Sequence, residues 1–291
     1  MSEALIEIAG DGLSAGINPF GAELTWLRDA EGRDLMTDAD PAFWTGHAPI
    51  LFPIVGRLNG DVLRIQGVEY PMKQHGFARR MAFAVTGHEA GRATFRLTDT
   101  PDTRAAYPFP FVLEIGFAIE GATLTMTARI ANPGATPLPA SFGWHPAFAW
   151  PLPYGHQKEA HRITFGADEP EPLALLAEGL VGPETVPSPL EGRILSLDDS
   201  LFERDALIWN PVRSQGVRYG APHAPALDIG FPDTPQLGIW TKPGARFLCI
   251  EPWHGIADPQ GFTGAFRDKP GVFEIAPGGD WHCSVSVTLR A

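Results

Sequence analysis

The sequence predicts an all-β protein, a large antiparallel β-sandwich with few short helices. Its 32 glycines and 29 prolines punctuate the 291 residues too often for long helices. Between them lie short runs that alternate with a period of two or are rich in β-branched and aromatic residues, the mark of half-buried strands. No segment recurs at a fixed period, which argues against a propeller.

Taken in order, ALIEIAG (4–10), GLSAGIN (12–18) and DVLRIQGVEYPM (61–72) open the series of strands. FAVTGHEA, RATFRLTDT, FVLEIGFAIEG and ATLTMTARIAN then follow one another between 83 and 132. The last is the clearest: Leu124, Met126, Ala128 and Ile130 share one face, and Thr125, Thr127 and Arg129 the other. HRITFGA, ALIWNP, GVRYG, QLGIWTKP, RFLCIEPW and WHCSVSVTLRA complete the set. Helix signals are confined to DADPAFWTG (38–46) and SLDDSLFERD (196–205), each opened by an acidic or serine cap. The proline-rich stretch 168–189 reads as a packed loop because of its leucine pairs, and no linker divides the chain, so a single domain over 1–291 is expected.

Composition narrows the function classes. An apolar fraction of 44% and a charged fraction of 19% are those of a folded globule. The formal charge of −12, from 34 acids against 22 bases, argues against nucleic acid, whose phosphates need Lys and Arg. It serves solubility, and leaves room for a small neutral or anionic ligand held by a local arginine. Two cysteines, Cys249 and Cys283, are too few for a disulfide framework and form no C-x-x-C pair. The amino-terminal MSEALIEIAGDG has neither the basic start nor the apolar centre of a signal peptide, and no apolar run is long enough for a membrane helix. A cytoplasmic location without a membrane partner is expected.

Polar residues capable of chemistry stand in four places. HAPILFPIVGRLNGD carries an apolar run out to Arg57, which can fork two hydrogen bonds to hydroxyls or an anion, or pair with a surface acid. PMKQHGFARR sets His75 beside Gly76, which permits close backbone approach, Phe77, which can wall a pocket, and Arg79, which can hold an anion. In SFGWHPAF, Pro146 biases His145 toward extended backbone, and Trp144 and Phe148 offer flat apolar faces suited to a sugar ring, or to an aromatic core cluster. In RFLCIEPWHG an apolar run ends in Glu251; a carboxylate losing hydration there becomes a better general base, unless it reaches solvent. Glu274 and Asp228 are rivals in weaker surroundings.

A metal centre is not favoured. His75, His145 and Glu251 are separated by 70 and 106 residues, and His254, three after Glu251, falls on the opposite face of a strand. No G-x-S-x-G elbow, dinucleotide fingerprint or P-loop is present.

In this order, PILFPIVGRLNGD, HGFAR, GWHPAF and CIEPWHG resemble the aldose 1-epimerase (galactose mutarotase) family, bacterial branch, over almost the whole chain. The resemblance implies a galactose mutarotase-like supersandwich, free of cofactors and metal, with a sugar in an open cleft. It implies Glu251 as general base, His145 as general acid and His75 as a hydrogen-bonding assistant at the ring oxygen. It implies substrate contacts from Arg57 and from an aspartate upstream of the glutamate, for which Asp205 is the candidate. Departures exist: GRLNGD stands where better known members carry G-R-x-x-N-R-I, and CIEPWHG where they carry C-x-E-T-Q. HGFAR also resembles the related hexose-6-phosphate epimerases, whose arginines meet phosphate, so Arg79 keeps a phosphorylated sugar open.

The residue types fit mutarotation independently. A base takes the anomeric O1 proton, an acid protonates the ring oxygen, the C1–C2 bond rotates, and the ring closes on the other face. Acid–base assistance of roughly 10²–10⁴-fold per group suffices for such a step. The alternatives are the same chemistry on a hexose 6-phosphate, or a noncatalytic carbohydrate-binding protein with aromatic platforms. The segment 151–195 is expected to wall the site and set specificity. All these readings require three distant strand ends to meet within a pyranose's width.

Overall fold

The computed structural model describes residues 4–291; the first three residues of MSEALIEIAGDG, the stretch read above for a signal peptide, fall outside them. Alternation at period two is obeyed along the long strands. In Thr123–Ala131, Leu124, Met126, Ala128 and Ile130 are buried, as the sequence pattern requires. Its neighbours match the pattern in register: Met126 stands opposite Phe117 on one side and Val285 on the other. One sheet face is therefore a continuous apolar surface that water cannot reach, which is where most of the folding free energy arises.

That surface belongs to a nine-stranded antiparallel sheet ordered Ile194–Ser196, Arg162–Phe165, Gly216–Gly220, Ala226–Gly230, Asp280–Arg290, Thr123–Ala131, Val112–Glu120, Arg92–Thr98 and Ala84–Glu89. A second antiparallel sheet runs Leu180–Val186, Leu173–Ala177, Leu207–Trp209, Gln236–Trp240, Phe247–His254, Phe142–Trp144 and Ile50–Leu51, with Ala147–Ala149 also paired to Phe247–His254. Leu237, Ile239, Leu248, Ile250 and Phe142 of this sheet join Phe117, Met126 and Val285 of the first in one apolar core, so the two sheets form a sandwich. Ile8, Leu13, Ile17 and Leu24, from a three-stranded sheet spanning Ile6–Ala9, Leu13–Asn18 and Glu23–Asp29, extend that core.

Three local expectations are corrected. DADPAFWTG forms turns, not a helix, and SLDDSLFERD gives only a short 3-10 turn, Asp199–Phe202, capped by Asp198. The one α-helix among the described residues, Pro101–Ala106, begins where Thr100 and Thr103 cap each other's backbone and Pro101 fills the first helical position. Within the stretch 168–189, Leu173–Ala177 and Leu180–Val186 pair as a hairpin instead of a loop. Its turn, Glu178-Gly179, adopts positive φ at both residues, the geometry of a tight two-residue hairpin turn. No helix among the described residues is long and apolar enough to cross a membrane.

The loop after Phe247–His254 is fastened from below. Asp258 is buried and accepts from the Asn59 backbone N–H (2.8 Å) and the Asn59 side-chain amide (3.3 Å). The buried Lys269 ammonium lies 3.6 Å from the Asp258 carboxylate and donates to the Ile256 carbonyl. This ties residues 256–258 to the segment 56–59, two stretches that flank the cleft described below. Asp258→Ala strands those donors and leaves a buried cation unpaired, so a loss of about 3–5 kcal/mol of stability is expected. Urea denaturation checks it; an unchanged midpoint would show that the cluster holds nothing.

Candidate active site

The strand Phe247–His254 is buried on both faces, and its alternation sorts its side chains between two environments. Leu248 and Ile250 enter the main core, whereas Phe247, Cys249 and Trp253 belong to separate apolar clusters on the far face, the face that also carries Glu251. Glu251 is 2% exposed and stands opposite Gly238 in the neighbouring strand. Neither Gly238 nor Gly143, on either side of this strand, has room for a Cβ, because the Trp253 indole lies across both. The two glycines let that indole lie flat on the sheet as a floor.

His145 leaves the strand Phe142–Trp144 just before Pro146, and its Nε2 sits 3.1 Å from the Glu251 Oε2. Trp44 stacks on the imidazole at 5.0 Å between centroids, and Trp240 meets it edge-on at 6.0 Å. The His75 ring is 5.8 Å from that of His145. His75 is held by Gly76, whose φ of +71° and packing against the Phe52 carbonyl admit no side chain. Glu251, His145 and His75, 70 and 106 residues apart in the chain, thus meet in one cleft of about 290 Å³.

Electrostatics follow from this burial. Burial pushes the Glu251 carboxyl well above the usual carboxylate range; the Trp253 indole opposes the rise and the Asp205 charge adds to it. Burial likewise lowers His145 to about 3, its own backbone carbonyl opposing and Arg79 assisting. Burial disfavours the carboxylate and the imidazolium alike, so it favours a pair with a single shared proton, held by the carboxyl beside a neutral imidazole. His75 is lowered well below its usual value by burial, then by His145, Arg79 and Arg80. Its Nδ1 accepts the Gly56 backbone N–H at 3.2 Å, so the neutral ring carries its proton on Nε2. That nitrogen is left as a donor without an acceptor, since the Gln74 atom 3.3 Å away is the amide Nε2, itself a donor.

The remaining candidates divide. Arg79 lines the cleft, is half-buried, and makes no hydrogen bond or ion pair with any described residue. Burial brings it to about 10, still fully charged at neutral pH. Asp205 sits on the rim at a φ of +79° and accepts the Ala206 N–H through its Oδ1. Arg57 does not line this cleft. Both its forks engage Asp61 (2.8 and 2.9 Å), and it donates to the Glu178 carbonyl in an adjoining groove, so the surface-acid reading is the one realised. Trp144 is corrected as well: 2% exposed, it packs edge-on to Phe142 in the core, and Phe148 is buried there too. Phe77 packs on Phe52 and does not wall the cleft. Of the rivals, Glu274 pairs with Arg267, and Asp228 is clamped between Arg218 and Arg290.

The aromatic walls are instead Trp44, Trp240 and Trp253, which sequence reasoning missed. Trp253 was recoverable, since it lies two residues beyond Glu251 on the same strand face. Trp44 was hidden in the stretch read as a helix. Leu176 and Gly179, from the hairpin within 151–195, close one side. Cys249 was also missed as a neighbour: its thiol, the His145 ring and the Glu251 carboxylate place ligand atoms within 4.8 Å of one another. His254, by contrast, faces away onto Phe273 at 4.8 Å, as its spacing from Glu251 required.

The family model for aldose 1-epimerase matches residues 4–260. The chain belongs to the aldose 1-epimerase family. It is 29% identical over 283 residues to the plasmid-encoded protein LacX of Lactococcus lactis subsp. lactis, covering 94% of this chain and 95% of that one. Among solved structures it resembles a galactose mutarotase related enzyme from Lactobacillus acidophilus, with a TM-score of 0.91, 29% identity, and 99% and 97% of the two chains covered. A galactose mutarotase-like protein from Lactobacillus casei gives a TM-score of 0.91 at 26% identity, with 99% and 100% covered. The fold is therefore galactose mutarotase-like.

Long-range ¹H–¹⁵N spectra of imidazole nitrogens are expected to find His75 neutral with its proton on Nε2, and His145 neutral until the pH approaches about 3. Either ring titrating near the ordinary 6.5 would overturn the electrostatic account.

Proposed function

We propose that this protein is an aldose 1-epimerase that interconverts the α- and β-anomers of a free hexose or related aldose. The supporting observation is a buried carboxyl and imidazole 3.1 Å apart beneath an aromatic cleft, with a second imidazole 5.8 Å away. At about 290 Å³ the cleft is at the small end of ligand sites, which range over roughly 300–1,000 Å³, and suits one sugar ring. Trp44, Trp240 and Trp253 supply apolar faces for the C–H surfaces of that ring.

The one-proton pair is what the reaction needs. With a sugar bound, Glu251 as carboxylate takes the O1 proton while protonated His145 gives its proton to the ring oxygen. After ring opening Glu251 holds a proton and His145 holds none, so the pair's proton count is unchanged. Rotation about C1–C2 and the reverse transfers close the ring on the other face. The two resting arrangements differ by a hop across the 3.1 Å contact; burial favours the uncharged one, so hydrogen bonds from a bound sugar stabilise the carboxylate and imidazolium that react. His75 donates from Nε2 to the oxygen on which negative charge develops.

Glu251→Gln keeps the shape and removes the base. A fall of about 10²–10⁴-fold in catalysed anomer exchange is expected, with the circular dichroism spectrum unchanged. Polarimetry or NMR exchange over a panel of aldoses measures it. A variant as fast as wild type on every accelerated sugar refutes the base assignment; sugar binding with no acceleration in the wild type selects a noncatalytic carbohydrate-binding protein.

One observation favours a phosphorylated substrate as a second reading: Arg79 presents a half-buried, unpaired guanidinium to the cleft. A charged hydrogen bond of about 1.5–3 kcal/mol corresponds to roughly 10–150-fold in affinity. On this reading Arg79→Leu raises KM by that factor for a hexose 6-phosphate and leaves KM for the free hexose nearly unaltered. Equal KM values for the two substrates in the wild type would dismiss it.

A further inference from the structure

We propose that the floor of the cleft is also a zinc site, formed by His145 Nε2, the Cys249 thiolate and the Glu251 carboxylate, and that a bound ion silences the acid–base pair. The ion binding stands on its own geometry; its effect on anomer exchange rests on the function proposed above.

Four observations carry it. The three ligand atoms lie within 4.8 Å of one another, and the imidazole and carboxylate are already 3.1 Å apart. Tetrahedral zinc, with bonds of about 2.0–2.3 Å, sets its ligands roughly 3.3–3.7 Å apart, so the thiol has only to close a short remaining gap. Second, apart from the 3.1 Å contact of Glu251 Oε2 with His145 Nε2, neither Oε2 nor His145 Nδ1 makes a hydrogen bond among the described residues, and the two residues are 2% and 7% exposed. Buried polar atoms left in that state are costly, and a cation supplies the partner they lack. Third, the donor set of one nitrogen, one sulfur and one oxygen suits zinc and not magnesium or calcium, which take oxygen alone. Fourth, one thiolate and one carboxylate neutralise a divalent ion, so the complex adds no net charge to a dry environment.

The placement explains why such an ion would inhibit. Cys249 and Glu251 are two apart on one strand face, and Cys249 lies beneath the Trp44 and Trp240 walls in an apolar cluster with Ala147 and Phe247. Zinc entering from the cleft takes the lone pairs that the base and the acid use. As the Zn–S and Zn–O bonds form, the thiol proton and the proton shared by the pair leave to solvent. The fourth coordination position opens into the cleft, where water or a sugar hydroxyl completes the tetrahedron.

The test titrates sugar-free protein with zinc against a chromogenic chelator. One zinc per chain is expected, unaffected by excess magnesium. Cys249→Ala and Glu251→Gln should each weaken it at least tenfold, and if one fails to fold the other still decides. Cobalt serves as a second probe, its thiolate charge-transfer absorption appearing in the wild type and absent from Cys249→Ala. Wild-type anomer exchange should fall in step with zinc occupancy and return on adding chelator. Zinc left entirely with the chelator, or both variants holding it as tightly as wild type, overturns the site. Exchange that continues at full occupancy overturns the inhibition. Should no aldose be accelerated at all, the proposed function fails while the chelator and cobalt measurements still judge the site.

Discussion

The site depends on a strand that cannot face solvent on either side. Phe247–His254 lies within the second sheet, with Leu248 and Ile250 packed into the sandwich core and Cys249, Glu251 and Trp253 turned the other way under an aromatic cover. A carboxyl placed there loses its hydration and has no buried arginine or lysine to compensate; its nearest polar contact is an imidazole suffering the same loss. A carboxyl that would be charged in water and an imidazole that would be charged in part become a pair sharing one proton. The rigidity of the β-ladder is what keeps them in contact, since a looser scaffold would let either turn toward water.

Much of the remaining architecture supports that arrangement. Gly143 and Gly238 yield their side-chain space to Trp253, so the floor is flat. Gly56 and Gly76 bring His75 against the backbone of the neighbouring loop, fixing its tautomer through a single backbone N–H. Asp258, Asn59 and Lys269 bind the flanking loops together from inside. Each device gives up local stability, through positive φ, absent side chains or buried charge, and the extensive apolar core of the sandwich offsets these costs.

The unpaired groups separate function from scaffold. Glu169 is as buried as Glu251, yet it accepts from the Arg213 and Ser214 backbone N–H groups and the Ser214 hydroxyl, which is how a structural carboxylate looks. Arg57 likewise is fully engaged by Asp61. Arg79, Glu251 and His145 Nδ1 lack such partners among the described residues, and all three residues line the same cleft. Unsatisfied polarity concentrated in one cleft is the physical signature of a site completed by something from outside the chain.

What the sequence determined by itself was whatever repeats locally. Period-two alternation and frequent Gly and Pro marked nearly every long strand, because burial of one sheet face imposes that pattern on residues adjacent in the chain. Glu251, His145 and His75 were legible because each interrupts an apolar or aromatic context where a polar side chain is expensive. The hairpin within 168–189 and the helix Pro101–Ala106 were not, the first because prolines masked its alternation and the second because one short capping box stands alone. Only the tertiary structure decided which arginine and which tryptophans face the cleft. Arg57 and Arg79, or Trp144 and Trp253, are alike as residues; strand register and the packing of distant loops turn one of each inward and commit the other to Asp61 or to the core.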